Sequence, residues 1–97
     1  MRVFTTSTQV TLSEDSGNHR TILELVAADR PGLLSEIGLV LWQERVDLHG
    51  AKIMTVGERA EDVFYLTDEN GQPLDETLRT RLAEALTRAL DRRDAAA

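Results

Sequence analysis

The chain has 97 residues and a formal net charge of −6, with 41% apolar and 29% charged residues. This length fits one domain, and the acidic balance argues against nucleic acid as a partner, because phosphate contacts need clustered Lys and Arg. The chain has no Cys, which excludes disulfides and thiolate chemistry. With no apolar run near the ~20 residues of a membrane span, we expect a cytoplasmic protein without a membrane partner.

The first third of the chain predicts a β-hairpin. Residues 3–12 are rich in Thr and Val, which favours a strand, and residues 14–18 form a polar turn cluster. Residues 21–28 predict a second strand, in which Leu23 and Leu25 share one face and the even-numbered residues share the other. Because a short polar loop joins the two strands, we expect them to pair antiparallel.

The Asp-Arg-Pro-Gly segment at residues 29–32 ends this strand and predicts a helix over residues 31–44. Pro31 suits the first helical position, and Asp29 can accept hydrogen bonds from the amides of the first turn. The predicted buried stripe consists of Leu34, Ile37, Gly38 and Leu41, with Leu33 and Val40 at its edge. Leu39 and Trp42 fall outside the stripe, either as flank residues partly shielded by loops or as a contact patch for a partner.

The second half of the chain predicts two more strands and a helix. A third strand covers residues 46–56, with Gly50 as a possible bulge, and a tight turn at residues 57–59 leads to a fourth strand over residues 61–67. Asp75 can cap the last helix. The apolar residues of that helix recur at helical spacing: Leu78, Leu82, Ala85, Leu86 and Ala89.

The order β-β-α-β-β-α predicts an α+β fold, a four-stranded antiparallel sheet with two helices on one face. The other face would carry Ile22, Val26, Met54, Val56, Val63 and Tyr65. Such an apolar surface is expected to pack against another copy or another domain. The alternative is that Glu24, Lys52 and Asp62 interrupt the patch enough for a monomer.

Most catalytic constellations are absent from the sequence. His19 lies in a turn and is expected to be solvated, whereas His49 on the third strand has either a structural or a ligand-lining role. Neither histidine belongs to a pair with metal-binding spacing, and Glu58, Glu61 and Asp62 fit a solvated turn better than a metal site. We therefore expect no catalytic residue, no metal and no cofactor in this chain.

Residues 29–34 combine a strand end, a tight turn and a helix N-terminus. The unpaired amides of such a terminus favour a carboxylate, and Gly32 has no side chain to block a close approach. Asp29 beside them could receive an ammonium group. The pattern therefore fits the two charged ends of a free amino acid, and an ordinary strand-to-helix turn remains the alternative.

The run from Asp29 to Leu34, followed by Ile37, resembles the signature of ACT domains, which are regulatory modules that bind amino acids. Together with residues 48–53, 57–59 and 61–68, it is similar to the C-terminal ACT domain of bacterial PII uridylyltransferase/uridylyl-removing enzymes, over about residues 21–90.

The resemblance implies a ferredoxin-like sandwich. An ordinary ACT domain ends in a strand after its second helix, whereas this sequence ends in or just after that helix, so the N-terminal strand would take the place of the last one. We expect a single domain over residues 1–97: strand and turn at 1–19, core at 20–93 and a frayed tail at 94–97.

The resemblance also implies a function, the sensing of an amino acid, with glutamine expected, on behalf of upstream catalytic domains. The ligand usually lies between the first strand-helix turn and the start of the next strand, often across a homodimer interface. Matched by position, the ligand contacts are Asp29, Arg30, Gly32, Leu33 and Leu34, with Asp47, Leu48 and His49 opposite. Amino-acid-binding members often have Asn at position 47, and Asp47 offers no donor to a ligand carboxylate.

Two other functions remain open. The chain could be a ligand-free dimerisation or docking module of the ACT type in another protein. It could also be a small enzyme of this topology, such as an acyl phosphatase, for which Arg30 is the candidate anion-binding residue.

Overall fold

An antiparallel sheet and two helices make up the described part of the chain, which in the computed structural model comprises residues 7–96, with side chains to residue 91. The elements are β1 (Gln9–Asp15), β2 (Arg20–Ala28), α1 (Leu33–Gln43), β3 (Val46–Lys52), β4 (Thr55–Val56), β5 (Arg59–Asp68) and α2 (Glu76–Ala96). The α+β class is confirmed. The sheet has five strands rather than four, because the predicted third strand is divided into β3 and β4.

The strands follow the order β1-β2-β5-β3, and β4 pairs with β5. The predicted hairpin is confirmed, since β1 and β2 pair antiparallel from Gln9 opposite Val26 to Asp15 opposite Arg20. Residues 3–6 of the predicted first strand lie outside the described residues. The strand extends to Asp15, past its predicted end, and the Asp15 carboxylate closes the turn by accepting hydrogen bonds from Asn18 and Arg20.

Alternation along β2 and β5 places one apolar face of the sheet under both helices, as predicted. The residues of this core are Leu23, Leu25, Ala27, Leu33, Ile37, Val40, Leu41, Val46, Ala60, Phe64, Leu66, Leu74, Leu82, Leu86 and Leu90. Phe64 and Leu66 are buried here, whereas Val63 and Tyr65 lie on the opposite, open face. Both helices therefore cover the same side of the sheet.

The third strand is not continuous over residues 46–56. A bulge with His49 as the extra residue lies between Leu48 and Gly50, next to the predicted position. The ladder then stops after Lys52, because the amide of Met54 donates to the Asp62 side chain instead, at 3.1 Å. Pairing with β5 resumes in β4.

Helix α1 begins at Leu33, two residues later than predicted, because Gly32 adopts a left-handed conformation with φ 85° that no helical residue can have. Pro31 is therefore not the first helical residue. The buried stripe is also rotated from the predicted one: it consists of Leu33, Ile37, Val40 and Leu41. Leu34 and Gly38, expected inside, are exposed.

Leu39 and Trp42 lie on the exposed flank of α1, with exposed fractions of 48% and 76%. The phase of α1 explains this exposure, because the face opposite the buried stripe points away from the sheet.

Helix α2 begins as predicted, with the Asp75 carboxylate accepting a hydrogen bond from the Leu78 amide at 2.8 Å. Leu82, Leu86 and Leu90 are fully buried against the sheet. The helix continues to Ala96, and Ala97 lies outside the described residues. Within residues 7–96, neither helix combines the length and the apolar character that a bilayer crossing needs.

The open face of the sheet is partly apolar. Ile22, Val26, Val63 and Tyr65 are half-buried on it, and the Arg20 guanidinium lies 4.3 Å from the centre of the Tyr65 ring. Asp62 does not interrupt this face, contrary to the sequence interpretation, because its even-numbered position on β5 directs it to the helix side, where it is 2% exposed. That this face packs against another molecule stays a prediction.

Candidate functional site

The turn between β2 and α1 is held by backbone hydrogen bonds. The Asp29 amide donates to the Glu58 carbonyl at 2.9 Å, which ties the end of β2 to the turn between β4 and β5. The Leu33 amide donates to the Arg30 carbonyl at 3.2 Å. A Cβ on Gly32 would meet open space, but the positive φ would strain any other residue there. The turn is therefore a fixed platform for the first turn of α1.

Two amides at the start of α1 remain open. The regular helical pattern begins with the Glu36 amide, which donates to the Gly32 carbonyl at 2.9 Å. Within residues 7–91, the amides of Leu34 and Ser35 have no acceptor. The positive end of the helix dipole adds to these two donors, which together favour an anionic group. The Leu33 amide, by contrast, is satisfied by the Arg30 carbonyl.

A cavity of ≈ 220 Å³ lies beside these amides. This is about the room of seven liquid waters, enough for a molecule of amino-acid size. Its wall is formed by Asp29, Arg30, Gly32, Leu33, Leu34, Ser35, Ile53, Thr55, Ala60 and Asp62. All five sequence-predicted contacts from residues 29–34 therefore meet at one cavity.

Asp62 is the buried acidic group of this wall. Its Oδ1 accepts the hydrogen bond from the Met54 amide, whereas Oδ2 has no partner among the described residues. Burial raises the pKa of Asp62, the Met54 hydrogen bond opposes the rise, and the nearby Asp29 charge adds to it. A buried carboxylate oxygen without a partner is costly, and no described residue supplies the missing donor.

Sequence reasoning missed Asp62 as a site residue, although a signal was present. Ala60, Phe64 and Leu66 alternate toward the core, and Asp62 occupies the intervening position of the same series. A charged residue inside such a series is unusual and indicates a specific role.

The charges of the wall are mixed. Asp29 is exposed and Asp62 buried, and Arg30, at intermediate burial, supplies a guanidinium. Two carboxylates against one cation leave the wall acidic while both carboxylates are ionised. An ammonium group would therefore be favoured near the carboxylates, and a second anionic group on a ligand would be disfavoured.

Asp47, Leu48 and His49 lie elsewhere on the same chain. Asp47 pairs with Thr67, whereas Ala28 at the turn pairs with Arg59. Thr67 and Arg59 are eight residues apart on β5, which corresponds to about 27 Å along the strand.

The surroundings of these three residues also differ from those of the turn. Asp47 borders a separate depression with Trp42 and Arg45, and Leu48 is 51% exposed. His49 Nε2 lies 2.7 Å from Thr67 Oγ1. One chain thus does not bring the two predicted halves of the site together.

The two histidines of the chain each contact a neutral side chain. His19, exposed in its turn as predicted, has Gln72 Oε1 as its partner at 2.8 Å, and the partner of His49 is also neutral. Among the described residues, no three His, Asp or Glu side chains converge as metal ligands. The arrangement places two open amides, two carboxylates and one guanidinium around one cavity.

No family model matches the chain. A bifunctional uridylyltransferase/uridylyl-removing enzyme of Xanthomonas euvesicatoria is 46% identical over 91 residues, which is 94% of this chain and 10% of that protein. The enzymes of the same name from Methylococcus capsulatus and Ectopseudomonas mendocina are 51% and 48% identical, over 77% and 93% of this chain and 9% and 10% of those proteins. The chain thus spans about a tenth of the length of these curated relatives and is homologous to one region of them.

Proposed function

We propose that this chain is a regulatory, amino-acid-binding domain of the ACT type that senses glutamine and has no catalytic role of its own. Its homology to one region of bifunctional uridylyltransferase/uridylyl-removing enzymes supports a place in such an enzyme, acting in the cytoplasm on PII signalling in nitrogen regulation. Its partners would be the ligand and the catalytic domains of the same enzyme. In ordinary ACT topology β1 corresponds to the last strand, and its position beside β2 supports this assignment.

The observation that carries the proposal is the cavity at the start of α1. The open amides of Leu34 and Ser35 would bind the ligand carboxylate, and the exposed Asp29 carboxylate would bind the ammonium group. Gly32 allows the ligand to approach the backbone without a side-chain clash. These groups face one space of suitable size.

Asp47, Leu48 and His49 would join this site through a second copy of the chain. Strand β3 is one of the two outer strands of the sheet, so it can pair with β3 of another copy. In an antiparallel pairing centred near Gly50, Asp47 of one copy would lie beside Ile53 of the other, which lines the cavity. Each of the two identical sites would then take residues from both copies.

Titration of the chain with glutamine by calorimetry tests the proposal, with Ser35→Glu as the informative variant. A carboxylate at position 35 lies in the first turn of α1, so it should preserve the helix or stabilise it by about 0.3–1 kcal/mol. The same carboxylate would occupy the open amides and weaken glutamine binding at least about tenfold, the loss of one charge-assisted hydrogen bond.

Ser13→Glu is the matched control, since it makes the same charge change at an exposed position of β1. It should bind glutamine like the wild type. Absence of binding heat and of a thermal shift with millimolar glutamine would refute direct sensing by this chain. Equal affinities of Ser35→Glu and the wild type would place the ligand elsewhere.

A second candidate function is a ligand-free dimerisation module. The half-buried Ile22, Val63 and Tyr65 on the open face favour it, and a second copy is the partner that fits. This face carries both Lys52 and Glu61, so a two-fold arrangement could pair opposite charges.

A further inference from the structure

We propose that Asp62 determines the specificity of the cavity, by accepting a hydrogen bond from an uncharged donor at the side-chain end of the ligand and by excluding a side-chain carboxylate. This inference rests on the proposed function and deepens it. For the proposed ligand, the donor is the amide nitrogen of glutamine, and the excluded group is the carboxylate of glutamate.

The geometry of Asp62 carries the inference. Its side chain is 2% exposed, lies in the cavity wall and is fixed by the hydrogen bond from the Met54 amide to Oδ1. The second oxygen, Oδ2, has no partner among the residues described. Buried polar atoms in folded proteins nearly always have one, so a donor brought in by a ligand would satisfy Oδ2 where the protein does not.

The α1 amides and Asp62 are placed to contact opposite ends of one ligand. The amides of Leu34 and Ser35 belong to α1, whereas Asp62 belongs to β5 in the sheet beneath it. Both border the same cavity. A ligand held by its carboxylate at the helix would therefore direct its other polar groups toward the carboxylates of Asp29 and Asp62.

The charges of the wall explain the discrimination. With both carboxylates ionised, the two of them outnumber the Arg30 guanidinium, so a further carboxylate on the ligand would be repelled. A neutral amide offers hydrogen-bond donors without that repulsion. Rejection of this kind is stronger than rejection by shape, because a wrong ligand leaves buried polar groups unpaired.

The substitution Asp62→Asn tests the inference on the 97-residue chain. The Asn oxygen can still accept from the Met54 amide, so the local backbone is preserved, but the unpaired acceptor becomes an NH₂ donor. Glutamine and glutamate are titrated by calorimetry into the wild type, into Asp62→Asn and into Glu24→Gln, which neutralises an exposed carboxylate of β2 outside the cavity.

The wild type and Glu24→Gln should bind glutamine about tenfold or more tightly than glutamate. Glutamine would gain a hydrogen bond to a charged group, whereas the side-chain carboxylate of glutamate would be repelled. Asp62→Asn should reduce this preference by at least about tenfold. An unchanged preference in Asp62→Asn, with glutamine still bound, would overturn the specificity role and leave the proposed function standing. A wild type that binds neither ligand would overturn both.

A measurement on the wild type covers the case of a poorly folded variant. The NMR signal of the Asp62 side-chain carboxyl carbon should shift on addition of glutamine and stay in place with glutamate at the same concentration. A signal that stays in place at saturating glutamine would contradict contact between Asp62 and the ligand.

Discussion

A hydrogen bond of Thr21 links the beginning of β2 to the residues before α2. The substitution Thr21→Val should measure what this hydrogen bond contributes to stability. The Thr21 Oγ1 accepts a hydrogen bond from the Leu74 amide at 2.9 Å, and both residues are buried, with exposed fractions of 0% and 2%. Val has the same shape but no acceptor, so the Leu74 amide would be left buried without a partner. The expected cost of that unsatisfied amide is about 1–3 kcal/mol.

The methyl group that replaces the hydroxyl recovers up to about 0.8 kcal/mol of burial. The net expectation for Thr21→Val is a loss of about 1–2 kcal/mol in the free energy of unfolding. Since about 4–8 °C of melting temperature correspond to 1 kcal/mol in a domain of this size, the decrease should be about 5–15 °C.

Urea unfolding followed by circular dichroism measures the loss for Thr21→Val. The control is Thr11→Val on the exposed face of β1, which should stay within about 0.5 kcal/mol of the wild type. A similarly small change for Thr21→Val would show that the hydrogen bond contributes nothing and that water or another group satisfies the Leu74 amide.

Two further predictions concern pH and assembly. Burial raises the pKa of Asp62 above 3.8. The folded protein therefore favours the protonated form of Asp62, and this contribution to stability is lost as pH rises through the raised pKa. Relative to Asp62→Asn, the wild type should lose stability from acidic to neutral pH in urea titrations. Relative to Asp15→Asn, the wild type should gain stability as pH rises from acidic to neutral, because hydrogen bonds from Asn18 and Arg20 lower the pKa of Asp15. If two copies dimerise through the open face, Tyr65→Glu should give monomers in sedimentation experiments, and a persisting dimer would exclude that face.

Much of the fold follows from short-range patterns in the sequence. The alternation in β2 predicted which residues face the core, and the spacing in α2 together with Asp75 predicted both the cap and the buried side of that helix. These patterns succeed because each segment buries one continuous face, whose period is fixed by its own backbone geometry.

The sequence predictions were wrong where a contact between distant residues or an unusual backbone angle determines the local structure. Pro31 suggested a helix start, but the left-handed Gly32 delays it, and the packing of Leu33 and Ile37 then turns Leu34 outward. Likewise, Ile53 and Met54 extend an apolar run in the sequence and yet interrupt the ladder. The Asp62 carboxylate accepts from the Met54 amide, while the Met54 carbonyl still accepts from the Glu61 amide at 2.9 Å.

The candidate site shows the same division. The contacts from Asp29 to Leu34 are consecutive in sequence, and they converge on one cavity. Asp62 comes to this cavity through the pairing of β2 with β5, which no local pattern specifies. Asp47 to His49 are placed at the far end of the sheet by the register of β3 on β5, information that again resides in tertiary structure.

The hydrogen bond from the Thr8 amide to Asp91 Oδ1, at 3.1 Å, has a topological consequence. It brings the beginning of β1 beside the last turns of α2, so a short covalent linker could join residue 91 to residue 8. Opening the chain at the β1–β2 turn would then yield a circular permutant with the same sheet, in which β1 is the final strand to be synthesised. Because no strand would change its neighbours, one architecture is open to two connectivities.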